Sequence, residues 1–147
     1  MNHLFKFAKN TGDLFTELKD DKNLNGYLRR NREEFVMPLG EYLEKLLAEK
    51  NLTKKEVIER SDLNREYVYH IFSGLKKNPS RSKILAIAMA MELDLDEIQY
   101  LLRYAGFGLL YPRNQWDAII ISAVEQKFTV AQTNELLYRL GEKTLGD

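Results

Sequence analysis

Cysteine is absent from this 147-residue chain. That excludes disulfides and thiolate metal sites, and it fits a reducing cytoplasm, where the protein is expected. Histidine is scarce: only His3 and His70 occur, and His3 lies in a terminal stretch of the kind that frays. No H-E-x-x-H, P-loop or G-x-S-x-G pattern is present, and the carboxylates are scattered along helical surfaces. Gly106 and Gly108 make no dinucleotide fingerprint, because no strand pattern precedes them. Catalytic residues, metal and cofactor are therefore expected to be none, and an enzyme is disfavoured. Net charge is also missing, with 22 Lys and Arg against 22 Asp and Glu, so no global field draws the chain to nucleic acid. No apolar run approaches the length of a membrane span, and Ala118-Ile119-Ile120-Ile121 is short and bounded by polar residues. The first residues lack the apolar core of a signal peptide, so no membrane partner is expected.

What is present is a globular composition, 44% hydrophobic and 30% charged, with helical periodicity throughout and no strand alternation. Only Pro38, Pro79 and Pro112 occur, each where a helix should break. Before Pro38 lie two modest amphipathic segments, around Leu14, Phe15 and Leu18 and around Leu24, Tyr27 and Leu28. Gly12 and Gly26 weaken both as helix formers. Thr53-x-x-Glu56, Asp94-x-x-Glu97 and Thr129-x-x-Gln132 read as capping boxes, in which each side chain satisfies a backbone N–H of the first turn.

The most informative stretch runs from Leu52 to Gly74. Thr53 and Glu56 open a short helix with Val57 and Ile58 as its apolar face. Ser61-Asp62-Leu63-Asn64 forms a break, because Ser, Asp and Asn compete for backbone groups. Asn64 then caps a second helix. Val68, Ile71, Phe72 and Leu75 fall at i, i+3, i+4 and i+7 and predict one buried stripe, and Gly74 is a terminator. Opposite stand Glu66, Tyr69, His70 and Ser73, flanked by Arg65 and Lys76. A helix, a tight turn and a helix with a polar outer face form the helix-turn-helix pattern, whose second helix is shaped for the major groove of DNA.

Residues from about Leu39 to Tyr104 resemble the Cro/C1-type, or XRE-type, helix-turn-helix regulators of bacteria and phages. The resemblance is carried by Leu39-Gly40-Glu41-Tyr42-Leu43-Glu44-Lys45-Leu46-Leu47, Leu52-Thr53-Lys54-Lys55-Glu56-Val57, Asn64-Arg65-Glu66-Tyr67-Val68, Ile71-Phe72-Ser73-Gly74 and Pro79-Ser80. A closing helix pair, Lys83 to Met91 and Asp94 to Tyr104, follows. It implies an all-α chain with a five-helix lambda-repressor-like DNA-binding domain that binds operator DNA as a homodimer. By position, Arg65, Glu66, Tyr69 and His70 would face base edges, while Lys54, Ser73 and Lys76 would hold phosphates. The chain departs from the pattern at Ile58, where a small residue is usual, and at Asp62, where a turn glycine is usual.

The expected organisation is a helical N-terminal extension over 1–37, the DNA-binding domain over 38–104 and a helical C-terminal extension over 105–147. Charge supports a local site: between Lys50 and Lys83 nine cations stand against four anions, a surplus of five, with acids gathered at Glu92, Asp94, Asp96 and Glu97. In the tail, Trp116, Ile119, Ile120 and Val124, with Leu136 and Leu137 of a final helix, form an apolar face. It is either core packing or a dimer interface. The tail resembles the C-terminal extension of a Gram-positive subset of the same family, through Leu101-Leu102, Ala105-Gly106, Leu110-Tyr111-Pro112, Asp117-Ala118-Ile119-Ile120 and Asn134-Glu135-Leu136-Leu137. Asp117 and Asn134 read as helix caps or as ties of the tail to the core.

Two functions follow from these observations. One is a sequence-specific transcriptional regulator, a homodimeric repressor whose extensions dimerise or sense a signal. The other is a protein-interaction module that keeps the scaffold without binding DNA, with a protein partner on the C-terminal extension. Arg65, Lys54, Lys76 and the cationic surplus favour the first. Neutral total charge, Glu66 and the apolar tail favour the second.

Overall fold

The computed structural model describes residues 9–20 and 22–146; His3 lies outside them. The described residues contain nine α-helices, one 3-10 turn and no strand. None of these helices is long and apolar enough to cross a membrane. The chain divides into two compact units, residues 1–37 and 38–147.

The first unit holds α1 (Thr11–Asp20), α2 (Leu24–Arg30) and a 3-10 turn (Arg32–Glu34). Both helices form despite Gly12 and Gly26. Asn23 caps α2 by accepting from the Gly26 N–H. Asn31 is buried, and its amide donates to Glu17 Oε1 at 3.0 Å and to the Tyr27 carbonyl at 3.1 Å. The hydrogen bond from Asn31, followed by that from Arg30, holds the Glu17 carboxyl below its ordinary range. Polar links therefore do much of the joining here. The apolar side chains of Phe15, Leu18, Leu24 and Leu28 stay exposed, where amphipathic spacing had suggested burying faces.

The second unit comprises α3 (Leu39–Glu49), α4 (Lys54–Ser61), α5 (Arg65–Ser73), α6 (Arg81–Ala90), α7 (Leu95–Tyr104), α8 (Gln115–Glu125) and α9 (Val130–Arg139). All three capping boxes are formed, on α4, α7 and α9. Most helices here end in one device. The residue after the cap turns left-handed, and the next N–H reaches back to a carbonyl one turn inside. Leu52 thus bonds to the Leu47 carbonyl, Leu93 to Ala88, Phe107 to Leu102, Phe128 to Ala123 and Glu142 to Leu137. Asn51, Glu92 and Lys127 take this conformation without being glycine, at φ near 60°, so composition hides these ends.

α6 is the centre of the unit. Every residue from Ile84 to Ala90 is buried, as expected of a helix apolar on all sides. α4, α7 and α9 pack around it, α3 packs on α5, and α8 packs on α7 and α9. Of the tail helices, α9 also packs directly on α4 of the helix-turn-helix motif. Ile119, Ile120 and Leu137 are buried within the single chain, whereas Trp116, Val124 and Leu136 are half-buried. Tyr42 of α3 stacks on Tyr104 of α7, centroids 3.9 Å apart. Burial pushes the Tyr42 phenol up, and Tyr104 and Glu97 add to that, so it stays protonated.

Candidate nucleic-acid interface

α4 and α5 are joined by a turn built from side chains rather than glycine. Asp62 adopts the left-handed conformation, φ 59°, which Asp tolerates better than bulkier residues. Ser61 is buried, donating to the Ile58 carbonyl at 3.2 Å and accepting from the Leu63 N–H at 3.3 Å. Asn64 caps α5 by accepting from the Tyr67 N–H at 3.2 Å. The two departures from the family pattern are thus accommodated: Asp62 supplies the turn and Ile58 is only half-buried.

α5 is held from beneath. Val68, Ile71 and Phe72 are buried. Leu75 is not: α5 stops at Ser73, Gly74 turns left-handed at φ 84°, and Leu75 is 72% exposed. The predicted stripe is one residue too long, because a helical period ceases to apply beyond the terminator. Gly40 of α3 makes a close approach possible. A Cβ there would collide with the Phe72 carbonyl oxygen and come within 2.9 Å of that of Ile71. Tyr67 anchors the other flank. Its half-buried phenol contacts the Ser80 backbone, burial pushes its pKa up, and Lys83 Nζ lies 4.2 Å from its ring centroid.

The outer face of α5 brings together the four residues assigned to base edges. Arg65, Glu66, Tyr69 and His70 are all exposed. The Arg65 guanidinium lies 5.5 Å from the Tyr69 ring centroid, one turn along the same face. The residues assigned to phosphate fare differently. Lys76 is exposed, in the loop after α5. Ser73 is exposed but its hydroxyl serves the helix end, donating to the His70 carbonyl at 3.3 Å and accepting from the Leu75 N–H at 3.4 Å. Lys54 is paired with Glu44 at 2.6 Å and lies 5.5 Å from the Phe72 ring centroid, so it braces α4 against α3 and α5.

The cationic surplus also shrinks on folding. Arg60 pairs with Glu56 and Glu92, Lys50 with Glu97, and Arg81 with Asp117. Lys55, Arg65, Lys76 and Lys77 pair with no described carboxylate, and all four are exposed. Arg65 stands on α5, Lys76 and Lys77 in the loop after it, and Lys55 on the first turn of α4.

Arg81 has a role that charge counting missed. At the first position of α6, it donates to Asp117 through two nitrogens at 2.9 and 3.0 Å, and to the carbonyls of Gly108 and Leu109 at 2.9 and 3.1 Å. Asp117 is buried and also accepts from the Tyr111 N–H. It therefore ties the tail to the core, while Asn114 caps α8. Asn134, by contrast, accepts from the Leu145 N–H at 2.7 Å, a bond within the tail. The spacing of 36 residues between Arg81 and Asp117 leaves no local signal for this clamp in the sequence.

Compared with known families, residues 43–98 match the model described as Helix-turn-helix, which begins inside α3 and ends inside α7. They are a helix-turn-helix domain of the XRE, or Cro/C1, type. The match spans the whole α4–turn–α5 motif, α6, and parts of α3 and α7. No curated protein and no solved structure matches the chain.

Proposed function

We propose that this XRE-type protein is a sequence-specific transcriptional regulator, a homodimeric repressor that reads operator DNA in the major groove with α5. The observation that carries the reading is the outer face of α5, where Arg65, Glu66, Tyr69 and His70 are all exposed on a helix anchored from beneath by Gly40, Phe72 and Tyr67. Arg forms bidentate bonds to guanine, and Tyr and His donate to base edges. Tyr69 beside Arg65 restricts the guanidinium and so lowers the cost of ordering it. Lys55, Lys76 and Lys77 supply the phosphate contacts, in place of Ser73 and with less dependence on Lys54. Homodimerisation supplies the second half-site contact on a palindromic operator.

The test is selection of bound fragments from sheared genomic DNA, with excess competitor, at about 150 mM salt. Recovery of a short inverted repeat is expected. Folded protein that recovers nothing above background would overturn the reading.

A further inference from the structure

We infer that a cleft on the far wall of the motif is a binding site for a small organic cation with an apolar body. The cleft has a volume of about 670 Å³ and lies between the last turn of α4, the α6–α7 turn and the α8–α9 turn. That volume falls within the range of sites for small organic ligands. Its floor is delivered by the two helix ends described above. The left-handed residues Glu92 and Lys127 reverse the chain, and the residues that follow them, Leu93 and Phe128, line the cleft with Val124. Val124 and Phe128 are only half-buried, so apolar surface is left for an aromatic or aliphatic body to cover.

Charge on the walls sets the sign of the ligand. Glu59, Glu92 and Asp94 contribute carboxylates, against Arg60 and Lys127. Arg60 is already bridged between Glu56 and Glu92 at 3.3 and 3.5 Å. Asp94 caps α7 with one carboxylate oxygen and keeps its charge, so Lys127 is the lining cation left against Glu59 and Asp94. An ammonium group is favoured over a carboxylate in that balance. Glu59 and Arg60 belong to α4, within three residues of the Asp62 turn that aims α5. Occupancy of the cleft would therefore bias the motif, a consequence that rests on the DNA reading, whereas binding itself does not.

The test uses three probes sharing one ring body, with no DNA present: tryptamine, indole and indole-3-acetate, followed by saturation-transfer NMR on the full chain. Tryptamine is expected to bind saturably and several-fold more tightly than indole-3-acetate. Ala131, exposed on α9 and lining the cleft, offers a way to fill it without entering the core. Ala131→Trp should abolish binding of all three, and Glu59→Gln should narrow the preference for the amine. No saturable binding to wild type, undiminished binding to folded Ala131→Trp, or tighter binding of indole-3-acetate would overturn the proposal. Should Ala131→Trp fail to fold, the methyl resonances of Leu93 and Val124 decide. They should shift with tryptamine, and unchanged shifts overturn the site. Failure here leaves operator selection untouched, and the converse also holds.

Discussion

Arg65 and Lys76 carry opposite kinds of information, and single substitutions separate them. Arg65 projects from the first turn of α5 over Tyr69, where a guanidinium is aimed rather than merely present. Arg65→Ala should cost about 1–3 kcal/mol of operator binding and relax base preference at one position. Competition between single-base operator variants measures this, and an equal loss on every variant would deny Arg65 a base-reading role. Lys76 stands in a loop with no described carboxylate partner. Lys76→Ala should weaken all sequences alike and lower the slope of log affinity against log salt by about 1. Lys54→Ala is the poorer probe, because it also breaks the pair with Glu44 and so disturbs α4 itself.

Helix placement depends on contacts that carry no charge at all. α3 approaches α5 so closely at Gly40 that a single methyl would meet two backbone carbonyls at the end of α5. Backbone cannot swing aside as a side chain can. Gly40→Ala should therefore destabilise the fold by about 1–3 kcal/mol, read as a lowered midpoint in urea with an unchanged slope. A neutral result would show that α3 and α5 slide freely. The same comparison explains why helix starts were easier to read than helix ends. A cap such as Thr53 or Asp94 acts within four residues, through a bond the spacing itself announces. The ends at Asn51, Glu92 and Lys127 are left-handed turns at ordinary residues, stabilised by carbonyls that the sequence does not mark. Leu75 was misplaced for the related reason that Gly74 ends the helix before the period completes.

For the second unit, the tail is integral rather than appended. Ile120 is fully buried, so Ile120→Asp places an unpaired carboxylate in the core and should cost about 4 kcal/mol. Circular dichroism and thermal melting should report an unfolded or barely folded chain; a stable, folded monomer would mean that this face is normally covered by a second copy. The Arg81–Asp117 clamp tests the same coupling more gently. Asp117→Asn keeps the shape but leaves the guanidinium short of its charged partner. Because Arg81 is partly solvated, the expected loss is about 2 kcal/mol. Hydrogen exchange should speed up in α8 and at the start of α6 together. Faster exchange confined to α8 would show that the clamp does not couple the tail to the motif.

Local chemistry was determined by the sequence alone: which segments are helical, where the capping boxes lie, and that Arg65, Glu66, Tyr69 and His70 share one outward face. These properties arise from side chains acting on backbone a turn or less away, so their spacing survives without the fold. Tertiary structure alone decided which cations remain available and which become struts. Lys54, Arg60 and Arg81 all counted toward the same surplus, yet each found a carboxylate on another element or another turn. It also decided that α6, not the apolar α8, forms the centre, and that α9 of the tail packs on the motif. Packing and ion pairing depend on residues brought together from tens of positions apart, and no local pattern encodes that proximity.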